Sequence, residues 1–356
     1  MELESLGWSA SLQEVLEFEF GGAAVPARVA AIERGAAVVW SARGSVLAAY
    51  GGALAGQKIS EVMGVGDWVA LDASDRLLGI VSRRTSLVRR AAGTGAPQLV
   101  AANVDRMLVV TAVGGDFNVR RLERYLAVAH EGGVTPVVVV NKTDVAHDRD
   151  ALVRAIDAVA PGVPVVLTSA IASPDRVAHD LAAHLAPGVT VALVGSSGVG
   201  KSTIVNRLCG EDTQETQDVR AADDKGRHTT TRREMFVTAS GALVIDTPGM
   251  RELGLLDASD GLAATFADIE VLASACRFGD CAHAGEPGCA IANALSTGAL
   301  DRARYDSYEH LRAEVAYESR RADARAARSS KKRGKEIARR VRERDRLNKK
   351  LGLKGS

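Results

Sequence analysis

A glycine-rich segment from Gly195 to Ser202 has the residue types and spacing of a phosphate-binding loop. It reads GSSGVGKS, a full match to the pattern G-x-x-x-x-G-K-[ST]. Glycines let backbone N–H groups surround phosphates, Lys201 can reach the β- and γ-phosphates, and the Ser202 hydroxyl can ligate Mg²⁺. The apolar run before the loop predicts a strand, and a helix opening at Ser202 would point its positive end at the anion. We expect phosphate contacts from Gly195, Ser196, Ser197, Gly198, Val199, Gly200, Lys201, Ser202 and Thr203.

A second polar motif indicates which base the nucleotide carries. An apolar run over 137–140 ends in Asn141, Lys142, Thr143 and Asp144. The Asp144 carboxylate can accept hydrogen bonds from the N1–H and 2-amino groups of guanine, which adenine does not offer, so the motif favours GTP over ATP. The Lys142 stem can lie along the base while Asn141 braces the loop. Alone, the tetrapeptide could be an Asx turn after a strand. Further on, Ser169 and Ala170 follow another short strand, where backbone N–H groups could contact the guanine oxygen.

Two more segments have the residues that surround a magnesium-bound γ-phosphate. The apolar run over 243–245 ends in the sequence DTPG, which begins at Asp246. Asp246 is expected to be an outer or water-mediated partner of Mg²⁺, and Gly249 can offer its N–H to the γ-phosphate. The polar segment KGRHTTT lies between the two motifs and suits a switch loop. Either Thr230 or Thr231 would give its hydroxyl to Mg²⁺, and the sequence leaves both open.

The order of these motifs is unusual. Ordinary GTPases have the phosphate loop first and N-K-x-D later, whereas this chain has N-K-T-D at 141–144 and the phosphate loop at 195–202. The sequence therefore predicts a circularly permuted GTPase domain.

A cluster of sulfur and imidazole side chains predicts a metal site near the end of the chain. Cys276, Cys281, His283 and Cys289 fall within 14 residues. Three thiolates and one imidazole can close a tetrahedral zinc site with no open position, which is a structural site. We expect one zinc ion per chain; the alternative is a group of unligated cysteines near a helix. Cys209 stands apart and is expected to be a buried apolar residue.

Together these motifs resemble those of the bacterial ribosome small-subunit-dependent GTPase A family, also called YjeQ. The resemblance covers roughly residues 25–311 and includes the GSSGVGKS, GRHTTT and DTPG motifs and the cysteine spacing. It implies a GTP-hydrolysing factor that binds the small ribosomal subunit and its rRNA, acts in late subunit maturation and is stimulated by the subunit. GTP would favour binding and hydrolysis to GDP would favour release. Two alternatives remain: an rRNA-binding module with GTP as a structural or regulatory ligand, and an ATP-using kinase of the phosphate-loop class.

The residue that orients the attacking water is not the usual one. Many GTPases have Gln directly after D-x-x-G, but this chain has Met250, which lacks a useful donor or acceptor. The resemblance implies that His228 takes over this role beside Lys201, since imidazole can orient or deprotonate water near neutral pH. The alternative is a histidine that only packs or contacts the ribosome.

The patterning around the motifs predicts several domains. Residues 1–20 are expected to be a poorly packed leader. Five short apolar runs within 21–92 suit an OB-type β-barrel, in which Trp40, Tyr50 and Trp68 are either core residues or base-stacking platforms. Longer strand–helix alternation over 96–256 predicts an α/β domain with a parallel sheet. Residues 257–319 would form an α-helical zinc-binding domain and 320–356 a basic tail.

Composition supports a nucleic-acid partner rather than a membrane. The chain has 356 residues, 46% hydrophobic and 25% charged, and contains no apolar run of 18 residues. The acidic residues 1–20 lack the basic flank and apolar core of a signal peptide, so we expect none. Residues 320–356 hold 16 Lys and Arg against 4 Asp and Glu, a balance of +12 in a chain of net charge +1, so the rest carries −11. Such a tail favours a polyanionic partner, although a solvated basic helix would look the same. We expect a cytoplasmic monomer that binds no membrane.

Overall fold

The computed structural model describes residues 1–33, 35–50, 62–90, 97–114, 117–210, 234–246 and 258–321. Its strands are β1 (Val25–Ile32), β2 (Ala36–Ser41), β3 (Gly44–Ala49), β4 (Trp68–Leu71), β5 (Leu77–Ile80), β6 (Ser86–Arg90), β7 (Pro97–Ala102), β8 (Arg106–Ala112), β9 (Thr135–Asn141), β10 (Val165–Leu167), β11 (Thr190–Val194), β12 (Glu234–Val237) and β13 (Leu243–Asp246). Its helices are α1 (Ala10–Phe20), α2 (Val119–Glu131), α3 (Arg149–Asp157), α4 (Val177–Asp180), α5 (Lys201–Cys209), α6 (Ser259–Thr265), α7 (Ala267–Ser274), α8 (Ala290–Thr297) and α9 (residues 302–321).

The first five strands form an antiparallel unit in the order β5-β4-β1-β2-β3. Burial alternates along β2, where Ala37 and Val39 point inward, and these side chains join Val29 and Val69 in a separate apolar cluster. Trp68 is fully buried, so the core interpretation of this aromatic residue is confirmed and base stacking is excluded.

The central strands form the parallel sheet that the sequence predicts. Their order is β10-β9-β8-β11-β13-β12, parallel from β10 to β13, with β12 antiparallel at the end. Alternate residues of β8 face opposite layers: Met107 and Val109 pack into one apolar cluster, and Leu108 and Val110 pack into the other. Both faces are thus covered, which explains the near-continuous apolar strands. Because the strands are parallel, the polar motifs that follow β9, β10 and β11 meet at one edge of the sheet, together with Asp246 at the end of β13.

The antiparallel unit and the parallel sheet are joined through one continuous eleven-stranded sheet. The link is the pairing of β1 with β12, in which Ala31 lies opposite Glu234. Strand periodicity does not predict this link, because it depends on two edges that are distant in sequence.

The expectation of a poorly packed leader is wrong. Ser9 caps α1 by accepting a hydrogen bond from the Leu12 N–H at 3.4 Å, and Leu6, Leu12 and Leu16 are only 1–2% exposed. The acidic side chains of the leader face outward while these leucines pack into the main core. The sequence prediction gave too much weight to the glutamates of this segment and overlooked the three leucines that share its buried face.

Arg28 joins the leader to the two sheet regions. Its guanidinium is 1% exposed and donates to the carbonyls of Leu6, of Gly66 at 3.3 Å and of Asn103 at 2.9 Å. Burial lowers the pKa of Arg28 to about 10, with Asp105 opposing that shift. Three carbonyls compensate the desolvated cation, so its position fixes three segments relative to one another.

The C-terminal helices pack against α2. Gly261 in α6 lies so close that a Cβ there would be 2.1 Å from the Ala127 carbonyl oxygen, and its N–H donates to Glu131 at 2.9 Å. Arg304 in α9 is 9% exposed and bonds Glu123 at 2.9 Å and Asp268 at 2.7 Å. These contacts hold the C-terminal helices on one face of the α/β domain. Among the described residues, the helices are all too short or too polar to cross a bilayer.

Candidate nucleotide-binding site and metal centre

The phosphate loop connects the end of β11 to the start of α5. Its backbone has positive φ at Gly195, +144°, at Gly198, +81°, and at Gly200, +97°. A Cβ at Gly195 would lie 2.1 Å from the Val110 carbonyl oxygen, and a Cβ at Gly200 would lie 2.2 Å from the Asn141 Nδ2. Both the backbone conformation and the lack of space require glycine at these two positions.

Lys201 folds back over the loop that precedes it. Its Nζ donates to the carbonyl oxygens of Gly195 at 2.7 Å and Ser196 at 2.5 Å. Ser202 and Thr203 occupy the next positions of α5, on the wall of a cavity of about 350 Å³. The other lining residues are Asn141, Lys142, Ile171, Gly198, Gly200 and Lys201. The cavity thus adjoins parts of both the phosphate and base motifs.

Asn141 connects three loops at this edge of the sheet. It is 2% exposed, its Nδ2 donates to the Val199 carbonyl at 2.8 Å, and its Oδ1 accepts from the Ala170 N–H at 3.0 Å. The buried amide therefore uses donor and acceptor to hold the phosphate loop and the loop after β10 against its own strand. The bracing role expected of this residue has a definite geometry here.

The two base-recognition loops are also bonded to each other. Ser169 Oγ donates to Asp144 Oδ1, and the Thr143 N–H and Oγ1 both donate to the Thr168 carbonyl, at 3.2 Å and 3.0 Å. Lys142 has φ +59°, a left-handed conformation that turns the chain between Asn141 and Thr143. These bonds hold Asp144 at the mouth of the loop, and its second carboxylate oxygen, Oδ2, takes part in none of them.

Asp246 ends β13 near the phosphate loop. Burial raises the pKa of this carboxyl, and the nearby Lys201 ammonium opposes that shift. Cys209 is half-buried, and burial, with a smaller effect from Asp246, raises the pKa of its thiol to about 11. A thiol with so high a pKa is protonated at neutral pH, in keeping with its expected packing role. Other predicted residues lie outside the described residues, namely His228, Thr230, Thr231, Gly249 and Met250.

Two arginines contact the site although they belong to none of the sequence motifs. Arg121, in the first turn of α2, donates from Nη1 to Ser196 Oγ in the phosphate loop. Arg149, at the start of α3, donates from Nε and Nη2 to the Thr143 carbonyl at 3.2 Å and 2.9 Å. Their roles depend on which helix ends the fold brings to the sheet edge, so local spacing could not reveal them.

The four predicted metal ligands converge. One ligand atom from each of Cys276, Cys281, His283 and Cys289 lies within 4.8 Å of the others. His283 Nδ1 is 3.6 Å from Cys276 Sγ and 3.5 Å from Cys289 Sγ. Metal–sulfur and metal–nitrogen bonds of about 2.3 Å and 2.1 Å at a tetrahedral angle place sulfur and nitrogen about 3.6 Å apart. The side chains therefore fit a tetrahedral metal ion.

Backbone groups support the ligand cluster. The Ala290 N–H donates to Cys276 Sγ at 3.4 Å and the Ala292 N–H donates to Cys289 Sγ at 3.3 Å. Glu286 accepts from the N–H groups of Ala282 and Ala284, both at 2.8 Å, and so closes the loop that carries His283. Donors aimed at sulfur favour the thiolate form that a metal ion needs.

A protein-family model described as RsgA GTPase matches residues 80–256 of the chain. A small ribosomal subunit biogenesis GTPase RsgA of Opitutus terrae is 44% identical over 98% of this chain and 99% of its own length. The protein of the same name from Syntrophotalea carbinolica is 41% identical over 95% of this chain and 96% of its own. The chain belongs to the RsgA GTPase family.

Solved structures agree with this family membership. YjeQ from Thermotoga maritima has a TM-score of 0.60 at 24% identity, covering 82% of this chain and 98% of its own, and it supports the fold alone. YloQ, described as a circularly permuted GTPase, has a TM-score of 0.59 at 25% identity, covering 83% of this chain and 96% of its own. The predicted permutation of the GTPase fold in this RsgA family member is confirmed.

Proposed function

We propose that this protein hydrolyses GTP to GDP and phosphate as a biogenesis factor of the small ribosomal subunit, with turnover stimulated by that subunit during its late maturation. The observation that carries the GTPase part is the Asn141 bridge, which holds the phosphate loop and both base-recognition loops in one site. The assignment to the small subunit rests on the relatives. They are named small ribosomal subunit biogenesis GTPase, and they align with this chain over nearly their full length.

The guanine base is selected by Asp144, with Ser169 and Ala170 beside it, and the phosphates lie on the loop from Gly195 to Thr203. Mg²⁺, when bound, neutralises charge on the β- and γ-phosphates. Ser202 would hold the ion, with Asp246 as an outer partner and the Thr230 or Thr231 hydroxyl completing its shell. The glycine backbone and the half-buried carboxylate at the end of β13 support this assignment.

Hydrolysis requires a group that orients water, and Met250 cannot do so. We assign this role to His228, with Lys201 stabilising the charge that develops on the phosphates. His228→Ala is expected to lower subunit-stimulated turnover at least about tenfold while GTP affinity stays unchanged. Equal stimulated turnover in variant and wild type would exclude the role.

The metal ion is a structural zinc, one per chain, held by Cys276, Cys281, His283 and Cys289. Four protein ligands leave no open position for chemistry. The fit of the sulfur–nitrogen distances supports a tetrahedral ion.

The regions outside the GTPase domain bind rRNA. Pairing of β1 with both β2 and β4, with β3 and β5 at the two ends, supports an OB-type barrel within 21–92. We retain the permuted GTPase domain at 96–256, the zinc-binding domain at 257–319 and the basic tail at 320–356, whereas residues 1–20 pack with the core and are no separate leader. The protein would act as a cytoplasmic monomer without a membrane partner.

The test is GTP hydrolysis by purified protein alone, with small subunits and with large subunits, each at low and high salt. Stimulation by small subunits alone that weakens at high salt is the expected result, because phosphate contacts release counterions. No turnover in any condition, with tight RNA binding retained, would favour an RNA-binding module in which GTP is only a ligand. Turnover that neither subunit changes would overturn the ribosomal part of the proposal.

A further inference from the structure

Helix α2 begins at the phosphate loop. Asn118 caps it by accepting from the Arg121 N–H at 3.0 Å, and the Arg121 side chain reaches the Ser196 hydroxyl. Ser196 also supplies one of the two carbonyls that hold the Lys201 ammonium, at 2.5 Å. Arg121 thus contacts the loop residue that positions the phosphate-binding lysine.

The next turns of the same helix hold the C-terminal domain. Arg124 forms a two-pronged pair with Glu314 of α9, at 2.7 Å and 2.6 Å. Glu123 is 1% exposed and bonds Arg304 of the same α9 at 2.9 Å. Most residues of α2 from Leu122 to Ala129 are buried, so the helix is packed as a rigid body between the two regions.

We propose that Arg121 is a positioning residue for GTP hydrolysis, and that α2 sets its place according to how α9 is docked. This inference rests on the proposed function for its substrate. The guanidinium fixes the Ser196 end of the phosphate loop and adds positive charge beside it, where negative charge grows during phosphoryl transfer. A shift of α9 acts on the Arg124–Glu314 pair and, through the helix, on Arg121. In sequence, α9 leads directly into the basic segment for which we expect a polyanionic partner.

The first test compares Arg121→Ala and Arg121→Lys with Arg120→Ala, which removes the neighbouring exposed arginine. Rates of GTP cleavage in single turnover and affinities for GTP and GDP are measured for each, with and without small subunits. Arg121→Ala is expected to slow cleavage roughly 10- to 100-fold, since small misplacements at a reacting centre cost about that much. GDP affinity should stay within about twofold, Arg121→Lys should recover part of the rate by keeping the charge, and Arg120→Ala should match wild type.

Two outcomes would overturn the role of Arg121. One is an unchanged cleavage rate in Arg121→Ala. The other is equal loss of GTP and GDP affinity with an unchanged rate at saturation, which would make the arginine a support of the loop only. If small subunits fail to stimulate wild type, the proposed function fails, whereas the comparison of cleavage rates without subunits still tests Arg121.

The second test concerns the link to α9. Glu314→Gln removes the charge that pairs with Arg124, and Asp306→Asn is its control, because Asp306 pairs with Arg302 in the same helix at 2.9 Å. Glu314→Gln should lower the stimulated rate at least about threefold and leave the melting temperature near that of the control. Combined with Arg121→Ala it should cause no further loss, since coupled residues are non-additive. Additive effects, or equal rates in Glu314→Gln and Asp306→Asn, would exclude the coupling.

Discussion

At the residue scale, the site depends on a few positions where chemistry and space allow only one side chain. Gly200 has no side chain and therefore leaves room for the Asn141 amide. The Asn141 amide in turn has a hydrogen-bond partner for both its donor and its acceptor. A buried amide bonded on both sides is costly to displace, because each lost partner leaves a desolvated polar group. The phosphate loop and base loops therefore share one fixed point.

Gly200→Ala tests this fixed point, with Gly198→Ala as the matched control. Both glycines have positive φ, but a Cβ at Gly198 meets nothing within 4 Å, whereas one at Gly200 meets Asn141 Nδ2 at 2.2 Å. Both variants bear the left-handed backbone cost of about 1–2 kcal/mol. Gly200→Ala alone should also break the Asn141 bridge and lower GTP affinity about tenfold further, at about 1.4 kcal/mol per tenfold. Titration with a fluorescent GTP analogue measures this, and equal affinities would contradict it.

Asp144→Asn should change the base preference. The amide offers a donor where the carboxylate accepted, so xanthine, which has a carbonyl in place of the guanine 2-amino group, becomes the better partner. Competition binding of GTP, XTP and ATP is expected to show GTP affinity reduced at least about 100-fold and XTP affinity increased. Unchanged GTP preference in this variant would remove Asp144 from base recognition.

At the element scale, α2 is the helix on which the C-terminal domain is built. Arg304 places its guanidinium between Glu123 and Asp268 and over the Phe266 ring at 4.8 Å. It also donates to the carbonyls of Thr265 at 3.1 Å and Val159 at 3.3 Å. One buried cation thus compensates acceptors from four segments of the chain.

Arg304→Ala should lower the free energy of unfolding by about 3–5 kcal/mol at pH 7, because it leaves Glu123 charged and buried. Burial already raises the pKa of Glu123, so the folded state binds the proton more tightly than the unfolded chain and stability falls as pH rises through that window. Removing the cation raises this pKa further, so the loss should be smaller at pH 5 than at pH 7. Urea unfolding at both pH values measures it.

Arg302→Ala is the control for that experiment. Its exposed pair with Asp306 lies within one helix, and such pairs contribute about 0.3–0.5 kcal/mol. A similar loss in the two variants would mean that the buried network adds nothing beyond a surface pair.

The loop that carries the three cysteines and His283 gives a second prediction at this scale. Cys281→Ser should reduce bound zinc from one equivalent to well below half and lower the melting temperature of the C-terminal helices, since ligand loss removes binding energy that stabilises the fold. Metal analysis and thermal unfolding check both effects. Cys209→Ser, which alters a thiol outside the cluster, should keep full zinc content. Full zinc in both variants would exclude Cys281 as a ligand.

At the scale of the whole molecule, the charge is distributed unevenly along the chain, whereas most of its strands form one continuous sheet. An acidic body of −11 carries a basic end of +12, and the body is held together by one sheet that runs from the parallel strands into the antiparallel unit. Contact between the end of the chain and a polyanion would therefore act on a connected frame through α9.

Deletion of residues 322–356 removes 14 Lys and Arg against 4 Asp and Glu. The concentration of small subunits that gives half-maximal stimulation should rise several-fold at low salt, and its dependence on salt should become shallower, by about 0.7 in slope for each lost contact with single-stranded phosphate. Hydrolysis without subunits should not change. An unaltered salt slope would show that the tail does not contact RNA.

The sequence alone predicted the ligand chemistry, because the phosphate loop, N-K-T-D and the cysteine spacing are local patterns whose residues lie close together in the chain. It also determined the permutation, which is a matter of order, and the parallel sheet, which follows from continuous apolar strands. Only the tertiary structure decided that the leader packs through Leu6, Leu12 and Leu16 and that Arg28 and Arg304 are buried cations. It alone brought Arg121 to Ser196 and Arg149 to Thr143. These features depend on contacts between segments far apart in sequence, and an isolated arginine or a short leucine stripe has the same local pattern whether it meets solvent or a partner.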